Sequence, residues 1–168
     1  LDASPIGSAS SGPITLLGTP GGGTGSEAIS TANTSSITSG SGDMTLRGNS
    51  VLTSGTTTLS TSGAVVIESV ASTGWVDGTV LRISGGPSSV RIGKSTSTGN
   101  VTLGSTIAAA GPISVYGGDI TSQSSLTSTL AGASIRLMAT GNIASSLLST
   151  INTNAGAVLL ASDTDGND

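Results

Sequence analysis

The chain has 168 residues and a formal net charge of −4, with no Cys, His or Phe and a single Trp and Tyr. Its five basic residues cannot form a face that neutralises many phosphates, so we expect no nucleic-acid partner. Without Cys and His, zinc loses its usual ligands, and neither a Ser-His-Asp nor a Cys-His catalytic arrangement can be built.

Residues 1–35 contain three prolines and a run of three glycines at positions 21–23. Their one apolar cluster lies at positions 14–17. Proline and glycine interrupt regular structure, so this composition predicts a loop-rich lead-in or partial cap with one short strand at the cluster.

Residues 36–168 have a different pattern, in which short apolar alternations recur and each is opened by Gly and a small or polar residue. The apolar residues alternate with period two, as in Met44/Leu46 and Ile113/Val115, which places them on one face of a strand. No window has the helical period. The turn-then-strand units open at Gly42, Gly63, Gly78, Gly99, Gly111, Gly118, Gly132, Gly141 and Gly156.

The spacing of these units predicts an all-β fold, a right-handed parallel β-helix (β-solenoid) of short, irregular rungs. Major units lie roughly 14 to 24 residues apart, as expected for coils of two or three strands joined by tight corners. Stacked coils can align Val, Ile and Leu into a continuous core without large aromatic residues. We expect roughly eight coils at about 4.8 Å spacing. A β-sandwich is the alternative, although it usually contains more buried aromatic residues.

Residues 99–168 contain sequence segments that resemble the β-helical repeats of filamentous-haemagglutinin-like giant bacterial adhesins. They include the segments at 111–120, 126–132, 139–143 and 160–167. The resemblance implies a long extracellular β-helix, exported by two-partner secretion or a related route. It brings no catalytic residues with it.

One segment, Ser88–Ser95, is close to a phosphate-binding P-loop but has Ser88 where that loop needs its first Gly. The residues after Lys94 are typical of a turn and not of a helix whose N-terminus holds an anion. We interpret the segment as a strand that ends in a polar corner, and we do not expect an enzyme.

A group of oxygen ligands, Asp163, Asp165 and Asp168, clusters around Gly166 and is a candidate for binding Ca²⁺. The bidentate acid that an EF-hand places downstream is missing. A solvated turn between rungs is the alternative interpretation.

The function predicted from these features is a structural stalk or filament segment of a large secreted or cell-surface bacterial adhesin. Its expected partners are further rungs of the same parent chain or other copies end to end, and also host or cell-surface glycans. No run approaches the eighteen or so apolar residues that a membrane span needs, so we expect no membrane insertion. The alternative is a carbohydrate- or ice-binding solenoid module that uses one flat face. Thr56, Thr57, Thr58, Thr127 and Thr129 suggest an ice-binding face, but their pairs do not recur at a constant period, and we interpret them as ordinary outward-facing β-branched residues.

Overall fold

A computed structural model describes residues 5–7, 11–18, 28–31, 33–53, 55–146 and 149–164. In these ranges the chain forms twenty short β-strands and no helix, and therefore no helix that could cross a membrane. Each strand pairs in parallel with the strand three places further along the chain. The prediction of an all-β parallel solenoid is confirmed.

The strands form three sheets. Sheet I contains β1 (Ile6–Gly7), β4 (Ser35–Thr38), β7 (Thr57–Ser60), β10 (Leu81–Ser84), β13 (Ile107–Ala109), β16 (Leu126–Ser128) and β19 (Ile151–Thr153). Sheet II contains β2 (Ile14–Leu17), β5 (Met44–Gly48), β8 (Ala64–Ser69), β11 (Ser89–Ile92), β14 (Ile113–Gly117), β17 (Ile135–Ala139) and β20 (Val158–Ala161). Sheet III contains β3 (Ala28–Thr31), β6 (Ser50–Thr53), β9 (Val76–Gly78), β12 (Val101–Leu103), β15 (Ile120–Ser122) and β18 (Ile143–Ser145).

The chain visits sheets I, II and III in turn and completes about six turns. The expectation of eight coils is too high, because the largest sheets have seven strands. Paired residues of successive coils lie 19 residues apart between Ile107 and Leu126, and 25 apart between Leu126 and Ile151. The expected right-handed coil is the handedness that crossovers between parallel strands nearly always take.

The core is a set of apolar columns that run along the solenoid axis. In sheet II the alternation points two residues of each strand inward, and in five successive strands these residues are buried. They are Met44, Leu46, Val65, Ile67, Val90, Ile92, Ile113, Val115, Ile135 and Leu137. Each stacks on its counterpart one coil away, so residues far apart in sequence share one dry column.

The corners absorb the differences in coil length. Gly99 and Gly118 stack through a backbone hydrogen bond of 2.8 Å at the corner before sheet III. A Cβ at Gly99 would lie 2.2 Å from the Gly74 carbonyl oxygen, so only glycine fits there. Beside this corner the Asp119 Oδ1 atom accepts a 2.9 Å hydrogen bond from the Asn142 amide. Side-chain ladders of this kind hold successive corners in register.

The region predicted to be a lead-in contributes strands to all three sheets. The expected strand at positions 14–17 is β2, which pairs with β5. Strands β1 and β3 pair with β4 and β6.

Candidate functional site

The coil formed by β19 and β20 exposes part of the apolar column at one end of the molecule. Ile135 and Leu137 in β17 are 0% and 1% exposed, whereas their partners Val158 and Leu160 in β20 are 47% and 52% exposed. Val158 and Leu160 occupy inward-facing positions, yet the described residues place no further coil on them. Among the described strands, β20 is also the outermost of sheet II and pairs on one side only, with β17.

The opposite end of sheet II has the same inward pattern. Ile14 and Leu16 in β2 continue the column that begins with Met44 and Leu46, and both are half-buried. β2 is the outermost strand at that end. Both ends of sheet II therefore present inward-facing apolar residues at matching register positions.

An ionic triad lies on the outer face of sheet II. The Glu68 carboxylate accepts from Arg47 Nε at 2.7 Å and from Arg91 Nη1 at 2.8 Å. The side chain of Glu68 is 8% exposed, against 50% for Arg47 and 38% for Arg91. The Arg91 Nη1 atom also donates to the Gly93 carbonyl oxygen at 2.7 Å. The triad joins three successive coils, and sequence reasoning missed it because its members are more than twenty residues apart.

The outer face of sheet I is lined mainly by small polar residues. The variable coil length does not break their alignment, because the sheet register brings Ser36 onto Thr58, Thr38 onto Ser60, and Thr127 onto Asn152. The column that contains Thr38 begins at Gly7 and continues through Thr38, Ser60, Ser84, Ala108, Thr127 and Asn152.

Of the threonines singled out by their spacing, Thr58 and Thr127 lie on this outer face of sheet I. Thr57 does not, because it is fully buried and shares a hydrogen bond with Thr31. A depression of about 470 Å³ opens beside Arg82 on the same face.

The P-loop-like segment is a strand followed by a turn, as predicted. β11 ends at Ile92, Gly93 has φ of 74°, and the Lys94 amide donates to the Ser97 hydroxyl at 3.2 Å. The Lys94 Nζ atom donates to the Val70 carbonyl oxygen at 2.8 Å. No helix N-terminus follows at 94–100.

The calcium candidate is described only in part. Asp163 follows β20 with φ of 51°, and its amide donates to the Gly141 carbonyl oxygen at 3.1 Å. Asp165 and Asp168 lie outside the described residues. Within the described ranges no three acidic side chains come together as metal ligands. The Ca²⁺ site stays a prediction.

A pocket of about 260 Å³ lies at the corner between sheets II and III. Trp75, the chain's one tryptophan, forms one wall and is 37% exposed. Asn49 and Ser50 line the pocket from the preceding coil. The Ser50 Oγ atom is buried and has no hydrogen-bond partner among the described residues. The sequence did not predict this pocket. Ser50 and Trp75 are 25 positions apart, and the local pattern does not show that the sheet register brings them together.

Compared with known proteins, the chain matches no protein-family model, no curated protein and no solved structure.

Proposed function

We propose that the chain is a structural solenoid segment that stacks end to end on further coils and so forms part of a filament. The observation that carries the proposal is the exposed apolar column of β20. Val158 and Leu160 hold positions that are dry in every earlier coil from β5 onward. Covering them with one more coil would remove apolar surface from water at roughly 25 cal/mol per Å² and pair the free strand edge.

The geometry of the contact favours an open filament over a closed dimer. β20 at one end and β2 at the other belong to the same sheet, and a parallel addition places Val158 against Ile14 and Leu160 against Leu16. Different surfaces then meet in a head-to-tail contact, which generates a linear array when the rotation does not close a ring. The next coil is supplied by the same parent chain or by another copy.

The proposed setting is a secreted or cell-surface bacterial adhesin. Two features support it: the parallel β-solenoid fold and the resemblance of residues 99–168 to filamentous-haemagglutinin-like repeats. In such a protein the segment acts as a stalk that carries binding regions away from the cell, and it needs no catalytic residue. An extracellular location is part of the same proposal.

Sedimentation velocity over a range of protein concentrations tests the stacking. We expect association that grows with concentration and is lost in Leu160→Lys, because the variant places a charge in the contact. Leu130→Lys is the matched control: Leu130 is 59% exposed, comparable to Leu160, but lies at a corner beside the sheets. A wild-type segment that stays monomeric throughout, or equal effects of the two variants, would contradict end-to-end stacking.

A second candidate function is a carbohydrate- or ice-binding module. The observation that favours it is the alignment of small polar side chains along sheet I, where Thr38, Ser60 and Ser84 present hydroxyl groups on three successive strands at about 4.8 Å spacing. Inhibition of ice recrystallisation by the purified segment, lost in Thr127→Leu, is the expected result for an ice-binding face. Absence of inhibition at every concentration would exclude an ice-binding function.

A further inference from the structure

We infer that the pocket between Trp75 and Ser50 binds one ring of a neutral sugar. This goes beyond the structural function, because it assigns a ligand site to the side of the solenoid. Ser50, Trp75 and the loop before Trp75 define this site, which we call the Trp75 pocket.

The first support is an unmatched hydrogen-bonding group. Ser50 is 1% exposed, and within the described part of the chain its Oγ atom has no partner although it can both donate and accept. Buried polar atoms are nearly always hydrogen-bonded, so an unpartnered hydroxyl beside a pocket needs an explanation. A ligand hydroxyl would supply the missing partner.

The second support is the composition of the walls. An indole ring offers a flat apolar surface with a polar N–H at its edge, and the C–H face of a pyranose stacks on such a surface. Asn49 lines the same pocket, and an asparagine side chain has both donor and acceptor atoms for ring hydroxyls. The remaining walls are the small residues Ala71, Thr73 and Gly74. None of these walls carries a charge, which favours an uncharged sugar over a uronate or a sulfated one.

The third support is the shape of the pocket. Its volume of about 260 Å³ is below the usual range of drug-sized ligand sites, about 300–1,000 Å³, and suits a single ring. The corner at Gly74 is tightly packed, since a Cβ there would meet the Asn49 carbonyl oxygen at 1.7 Å. The Ser69 hydroxyl donates to that same oxygen at 2.7 Å. These contacts hold the floor of the pocket in place.

Trp75 lines the pocket beside Ser50. The sheet register pairs Val51 with Val76, so Trp75 lies directly one coil away from Ser50. The Val51 amide donates to the Trp75 carbonyl oxygen at 3.0 Å, which holds the backbone that carries the indole. In the proposed binding step the indole shifts, a sugar hydroxyl reaches Ser50, and the ring stacks on the indole.

Intrinsic fluorescence tests this directly, because Trp75 is the only tryptophan. We would titrate the whole segment with glucose, galactose, mannose and N-acetylglucosamine, and use glucuronate and cyclohexanol as controls. At least one neutral sugar should give a saturable spectral shift. Absence of saturable binding for all four sugars, or equal binding of cyclohexanol, would overturn the inference.

Variants locate the site and separate ligand binding from a structural role. By calorimetry, Trp75→Ala should abolish sugar binding, and Ser50→Ala should weaken it up to about tenfold, the equivalent of one hydrogen bond. Ser50→Ala should also raise the melting temperature, because it removes an unsatisfied buried oxygen. Ser105→Ala, in the depression beside Arg82, is the control and should leave sugar binding unchanged. Unchanged affinity in both pocket variants would place the sugar elsewhere and refute the assignment.

Discussion

Replacement of Ile113 by alanine tests the stacked-column core where it is deepest. Ile113 is 0% exposed and lies in β14 between Val90 and Ile135 of the neighbouring coils. The change removes three carbon atoms, worth about 0.8 kcal/mol each on transfer from water. Parallel ladders on both sides hold the backbone, so the cavity cannot collapse fully, and the total cost should be about 3–4 kcal/mol.

Urea denaturation followed by far-ultraviolet circular dichroism measures this cost. The midpoint should fall while the slope stays unchanged, because the same surface is exposed on unfolding. Ser114→Ala is the matched control, since the next side chain along β14 points outward and its loss should change stability by no more than about 0.5 kcal/mol. Equal midpoints for the two variants would refute the inward assignment of Ile113.

Two further changes test the corner and the ionic triad. Gly99→Ala should destabilise by about 2 kcal/mol or more, because its Cβ would overlap the backbone of the preceding coil, whereas Gly12→Ala, with open space around its Cβ, should be nearly neutral. Similar melting temperatures for both would contradict the close approach at this corner. Glu68→Ala should cost about 1–2 kcal/mol, since two arginines lose their shared acceptor but keep partial access to water. Thermal denaturation measures this cost, and a stability equal to wild type would show that the triad contributes nothing.

Much of the fold could be predicted from local pattern alone. Period-two alternation identifies Ile113 and Val115 as inward residues without any knowledge of the neighbouring coils. Glycine followed by a small or polar residue, as at Gly99, identifies corners, because close backbone approach excludes side chains there. The number of coils was predicted less well. The sequence shows where each turn-then-strand unit begins, but it does not show how many units make up one coil.

The ionic triad and the Trp75 pocket could not be predicted from the sequence, because both depend on which residues of neighbouring coils stack on each other. Glu68 occupies an outward position and is buried only because Arg47 and Arg91 reach it from adjacent coils. Ser50 and Trp75 lie side by side because β6 pairs with β9 in a register that joins residues 25 positions apart. Sequence distance does not identify such contacts when the spacing between paired residues of successive coils varies between 19 and 31 residues.

Electron microscopy of the concentrated segment tests the central claim, end-to-end stacking, most directly. Seven strands of sheet II at about 4.8 Å give each copy an axial length of about 34 Å. We predict thin, unbranched rods with that axial repeat, formed by the wild-type segment and by Leu130→Lys but not by Leu160→Lys. Separate compact particles at every concentration, or rods that persist in Leu160→Lys, would contradict the account.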